Sequence, residues 1–82
     1  MVTVAYHEDF KKQVTKIKDG LTKKRIKKQI QKIISNPEIG KPMRYTRKGT
    51  RELYIPPYRL SYIFYKEEDT IVLLTLYHKD EQ

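Results

Sequence analysis

Three groups of residues in this sequence could do chemistry. Arg59 stands near the start of an alternating apolar run, YRLSYIFY (58–65). A guanidinium is always charged and presents a planar fork of donors. In that position it either pairs with a carboxylate, Glu52 being the candidate across a hairpin, or receives an anion. His78 closes the last apolar run, IVLLTLYH (71–78). An imidazole titrates near neutral pH and can act as base or acid; it can equally end a strand with a satisfied hydrogen bond. Arg44, Arg47 and Lys48 crowd a stretch punctuated by Pro and Gly, lead directly into Arg51, and share the segment 37–50 with a single acid, Glu38. Such a cluster suits the phosphates of a polyanion.

Other chemistries find no footing. Without cysteine there is no disulfide and no thiolate metal site. His7 and His78 lie far apart and lack ligand-like neighbours, and neither GxxxxGK[ST] nor GxGxxG occurs. Ser35 and Ser61 sit in no nucleophile-elbow context. No metal or other cofactor is expected. Cations, tyrosines and one histidine suit phosphodiester cleavage in RNA, which brings its own nucleophile, the 2′-OH. The protein need only move protons and stabilise the charged phosphorus centre.

The charge balance agrees. Eighteen Lys and Arg against ten Asp and Glu give +8 over 82 residues. A nucleic acid or an acidic protein is the partner class that charge implies. No apolar run approaches the roughly 20 residues that span a bilayer, so no membrane partner is expected. The opening MVTVAYHEDF lacks the basic start and long apolar middle of a signal peptide. A reducing cytoplasm is the expected compartment.

The elements that must position these residues follow from periodicity. Val2 to Tyr6 alternates as a strand. Phe10, Val14 and Ile17 make one helical stripe, which Asp19-Gly20 is expected to end, with Gly20 in the left-handed position. A second helix from Leu21 carries Leu21, Ile26, Ile30, Ile33 and Ile34 inward and stops before Pro37. Its many lysines read as a solvated face. The connector 37–50 could include a short edge strand. Glu52 to Ile55 and Tyr58 to Tyr65 form a hairpin about Pro56-Pro57, since proline cannot donate to a ladder. Leu60, Tyr62 and Phe64 should face the helices; Arg59, Ser61, Ile63 and Tyr65 should face away. Ile71 to His78 is apolar enough for a central strand. The order β-α-α-β-β-β predicts one α+β domain over 1–82: an antiparallel-rich four-stranded sheet, a helical hairpin on one face, and Arg59 on the open one.

Taken in order, several stretches resemble a known family. They are Phe10-Lys11-Lys12 after the first strand, a helical hairpin, NPEIGKP (36–42), RELYIPPYRLSY (51–62), and a last strand ending Tyr77-His78-Lys79. The sequence resembles the RelE/ParE toxin superfamily of bacterial and archaeal type II toxin–antitoxin systems, and looks most like an archaeal RelE-like member. The resemblance implies a RelE-like fold. For the RelE branch it implies a metal-independent endoribonuclease that cuts mRNA in the ribosomal A site, leaves a 2′,3′-cyclic phosphate and inhibits translation. It also implies a RelB-like antitoxin partner with an acidic segment. By resemblance, Arg59 holds the scissile phosphate, Lys79 stands where RelE has a second catalytic arginine, and His78 where a related toxin has a catalytic histidine. Glu52 and Thr50 stand where RelE carries lysines, so Arg51, Arg47 or Lys48 would have to replace them. The family's C-terminal catalytic tyrosine has no counterpart. The ParE branch shares the fold and poisons DNA gyrase instead.

Overall fold

A computed structural model describes residues 2–43 and 49–78. Its elements are β1 (Thr3–Tyr6), α1 (Glu8–Lys16), α2 (Gly20–Ser35), β2 (Lys41–Pro42), β3 (Arg51–Ile55), β4 (Tyr58–Tyr65) and β5 (Thr70–His78). The fold is α+β, as the patterning predicts. The sheet has five strands in the order β1-β5-β4-β3-β2; the fifth is the two-residue edge strand β2. β1 runs parallel to β5, and the other pairs are antiparallel.

Local chemistry sets the helix ends. His7 caps α1: its Nδ1 accepts from the Asp9 amide at 3.1 Å, and Glu8 and Asp9 occupy the first turn. Acids there suit the positive end of the helix dipole. The Thr75 hydroxyl donates to the Asp9 carboxylate and ties this turn to β5. α1 ends at Ile17, which turns extended and is buried. Asp19-Gly20 therefore does not end the first helix; it starts the second. The Asp19 carboxylate accepts from the Leu21 amide at 3.2 Å and from the Thr22 hydroxyl at 2.7 Å, the work of an N-cap. That start also sets which stripe of α2 faces inward. Thr22, Ile26 and Ile33 are buried, whereas Leu21 and Ile34, expected inside, are 58% and 40% exposed.

Leu60, Tyr62, Ile71, Leu73 and Leu76 form the sheet side of the core and are almost fully buried. Phe10, Ile17, Ile26 and Ile33 supply the helix side, and Phe64 is only partly buried at its margin. A register shift between Ser61 and Tyr62 keeps both Leu60 opposite Leu76 and Tyr62 opposite Leu73.

Tyr62 also organises the connector that follows α2. Its hydroxyl donates to the Pro37 carbonyl and accepts from the Gly40 amide, both at 2.8 Å. Burial pushes this phenol above its ordinary pKa, partly offset by the Gly40 amide and the nearby Arg51 charge. A side chain at position 40 would meet the Tyr62 hydroxyl at 2.6 Å, so only glycine allows this approach. Arg51 grips the same loop: Nη1 donates to the carbonyls of Glu38 at 3.0 Å and Gly40 at 2.8 Å, and Nη2 lies 3.8 Å from the Glu38 carboxylate. These contacts lay β2 beside β3.

Candidate functional site on the open face

Arg59 lies at the middle of one rung. It pairs with Tyr54 of β3 on one side and Tyr77 of β5 on the other. Paired residues share a sheet face, so Tyr54, Arg59 and Tyr77 stand in a row. Glu52, two residues before Tyr54 on β3, lies beneath them and is 5% exposed. Its Oε2 accepts from the Tyr77 hydroxyl at 2.6 Å, and its Oε1 is 4.0 Å from Arg59 Nη1. The guanidinium carbon sits 5.4 Å from the Tyr54 ring centroid, within cation–π range.

Arg59 is thus held from two sides, by charge from Glu52 and by the ring of Tyr54. The sequence left open whether it meets a carboxylate or awaits an anion. It does meet Glu52, at the outer limit of an ion pair, and its side chain is still 36% exposed. Its Nε is buried and has no hydrogen-bond partner among the described residues. The outer part of the guanidinium can therefore receive an anion while Glu52 fixes its inner edge. Beside this row a groove of about 720 Å³ runs between Tyr54 and Arg59 and the connector residues Ile39, Lys41, Pro42 and Met43.

His78 is one rung further on. It pairs with Tyr58, and their rings meet edge to face with centroids 5.7 Å apart. It shares a hollow with Gln13, Lys16, Ile17 and Leu76, on the side covered by α1. Arg59 and His78 therefore occupy the same end of the sheet but opposite faces. Arg51, expected to bind RNA, has its guanidinium committed to the connector carbonyls. Lys79, Arg44, Arg47 and Lys48 lie outside the described residues. No three of His, Cys, Asp and Glu cluster as metal ligands among the described residues.

Sequence reasoning named Glu52 as a candidate partner of Arg59 but missed Tyr54 and Tyr77, which complete the row. The signal for Tyr54 was present: alternation in RELYI puts it on one face with Glu52. Tyr77 needed the β4–β5 register, which no local pattern supplies.

Comparison with known proteins adds a family. The family model of ParE toxins of type II toxin–antitoxin systems (parDE) matches residues 4–82. No curated protein sequence matches the chain. Among solved structures, the RelBE2 toxin–antitoxin complex from Mycobacterium tuberculosis contains a chain of the same fold: TM-score 0.82, 24% identity, covering 95% of this chain and 98% of that one. The isolated RelE toxin of E. coli gives TM-score 0.79 at 15% identity, covering 95% and 84%. YafQ from E. coli gives TM-score 0.72 at 19% identity, covering 99% and 97%.

Proposed function

The chain belongs to the ParE toxin family of type II toxin–antitoxin systems, within the RelE/ParE superfamily, and on that premise we propose that it is a ribosome-dependent mRNA endoribonuclease. The observation that carries this reading is the Arg59 row: a partly exposed guanidinium, braced from behind by Glu52 and from the side by Tyr54, on an open sheet face. A fork of that kind suits two oxygens of one phosphate. In the proposed reaction the ribose 2′ hydroxyl gives up its proton to solvent as its oxygen attacks phosphorus and the bond to the 5′ oxygen breaks. The products are a 2′,3′-cyclic phosphate and a free 5′ hydroxyl. Arg59 stabilises the charge that builds on the non-bridging oxygens, the largest usual catalytic term. Proton donation to the leaving oxygen is assigned to Lys79 rather than to His78, whose ring faces α1. Arg44, Arg47 and Lys48 supply further contacts to the RNA backbone, and the reaction as proposed calls on no cofactor.

The same reading includes a RelB-like antitoxin as partner. Among solved structures of similar fold, the RelBE2 structure from Mycobacterium tuberculosis and the intact E. coli RelBE structure are toxin–antitoxin complexes. An acidic antitoxin segment would complement the +8 charge of this chain. No described helix is long and apolar enough to cross a membrane; the cytoplasm, where translation runs, is the proposed compartment.

One observation favours a second reading. His78 and Arg59 do not share a face, and a ParE-like protein that inhibits DNA gyrase would not need them to. Primer extension on an mRNA translated with and without the protein separates the two. New 5′ ends inside codons support the nuclease. No cleavage, with inhibited gyrase supercoiling, supports the alternative.

A further inference from the structure

The groove beside Arg59 has a shape and lining that phosphate binding alone does not use. It lies within the roughly 300–1,000 Å³ typical of small-ligand sites. Its apolar wall is Ile39, Pro42, Met43 and Tyr54. Ile39 and Tyr54 are large side chains left 41% and 46% exposed. Lys41 and Arg59 stand along the same groove, and both reach solvent. The carboxylate among the lining residues, Glu52, is buried and turned to Tyr77 and Arg59. The accessible charge of the described lining is therefore positive. The far wall is fixed in place: Tyr62 and Arg51 hold Gly40, next to Lys41, by hydrogen bonds of 2.8 Å each.

We propose that this groove is a nucleotide slot, in which one base of single-stranded RNA stacks on Tyr54 while its attached phosphate lies on Arg59. The RNA class rests on the function proposed above; the slot itself rests on the groove. The Arg59 guanidinium lies over one side of the Tyr54 ring, and the half-exposed ring lines the groove; every base has a π face that such an aromatic accepts. An acidic peptide could also place a carboxylate on Arg59. It would leave the flat aromatic and the apolar wall without the planar ligand they fit. A preformed wall keeps the ordering penalty of binding small.

The test is equilibrium binding of the full chain to a short end-labelled single-stranded RNA, followed by fluorescence anisotropy. Stacking of one base is worth about 1–3 kcal/mol, so Tyr54→Ala should weaken binding by roughly 5- to 150-fold. Tyr54→Phe keeps the ring and should bind like wild type. A ribose-phosphate oligomer of the same length without bases should bind wild type and Tyr54→Ala alike. Because Tyr54 is half exposed, circular dichroism should show both variants folded. Three results would overturn the slot: RNA binding unchanged in Tyr54→Ala, the same Tyr54 dependence for the base-free oligomer, or Tyr54 dependence only for an acidic peptide of equal charge. Tyr54-dependent RNA binding by a wild-type protein that cuts nothing on the ribosome would support the slot and remove the nuclease reading.

Discussion

Arg59 and His78 are separated by one rung of the β4–β5 ladder, and that single step sends their side chains to opposite faces of the sheet. Arg59 joins Tyr54, Tyr77 and Glu52 in the open; the His78 ring leans on Tyr58 beneath α1. A strand alternates its side chains strictly, so residues on successive rungs of one ladder serve different surfaces.

This placement predicts that His78→Gln is almost silent in chemistry. A lost general acid or base should slow cleavage by about 10²–10⁴-fold. We expect less than about 10-fold here, with a small loss of stability from the broken edge-to-face contact, about 0.5–1.5 kcal/mol. Single-turnover cleavage and a urea titration of the same variant measure both. A rate loss in the full acid–base range would return the imidazole to the reaction.

Glu52 should matter to the fold as well as to the site. Glu52→Ala leaves the Tyr77 hydroxyl and one edge of Arg59 without their shared carboxylate. Leaving such groups unmatched costs about 1–3 kcal/mol. Tyr77→Phe removes a single hydrogen bond and should cost about 0.5–1.5 kcal/mol. Equal urea midpoints for wild type and Glu52→Ala would mean that the carboxylate does not hold the row together.

Much of this architecture was legible in the sequence, and the gaps have physical causes. The hairpin was visible because period-two alternation and Pro56-Pro57 both act locally. Both helices were visible from their apolar stripes. Asp-Gly suits a helix end as well as a start, so local pattern alone does not decide the role of Asp19. What decides is the Thr22 hydroxyl, which seats on the Asp19 carboxylate and turns that stripe of α2 inward. On β4, Leu60 and Tyr62 lie in the core as alternation predicts, yet Phe64 is only partly buried at its margin. The Tyr62–Gly40 and Glu52–Tyr77 bonds join residues 22 and 25 positions apart, beyond any local pattern.

Burial sets the order of core losses. Phe64→Ala should cost less than the roughly 3–5 kcal/mol of a fully buried phenylalanine. Gly40→Ala should cost about 1–3 kcal/mol, since a methyl group there pushes on the Tyr62 ring and its hydroxyl. Urea unfolding midpoints give the ranking. A neutral Gly40→Ala would show that the connector is not pinned against Tyr62.

Acid should weaken the protein partly through Asp19. Its pKa is lowered from 3.8, chiefly by the Thr22 hydroxyl and then by the Leu21 amide. A folded-state value below the unfolded one contributes stability that is present above the unfolded pKa and lost as pH falls through the folded one. The urea midpoint should therefore fall as pH drops below about 4, and Asp19→Ala should flatten part of that fall. An identical acid profile in the variant would mean that the cap contributes nothing.

The most direct measurement of the central claim is single-turnover cleavage of mRNA on a programmed ribosome by wild type and Arg59→Ala, with the new 3′ end analysed chemically. The account predicts that wild type leaves a 2′,3′-cyclic phosphate. It predicts that Arg59→Ala, folded like wild type, is slower by about 10²–10³-fold, as for loss of one charge-stabilising donor. Arg59→Lys should recover little, because an ammonium lacks the fork. Cleavage by Arg59→Ala at the wild-type rate, or no cleavage by wild type at all, would contradict it.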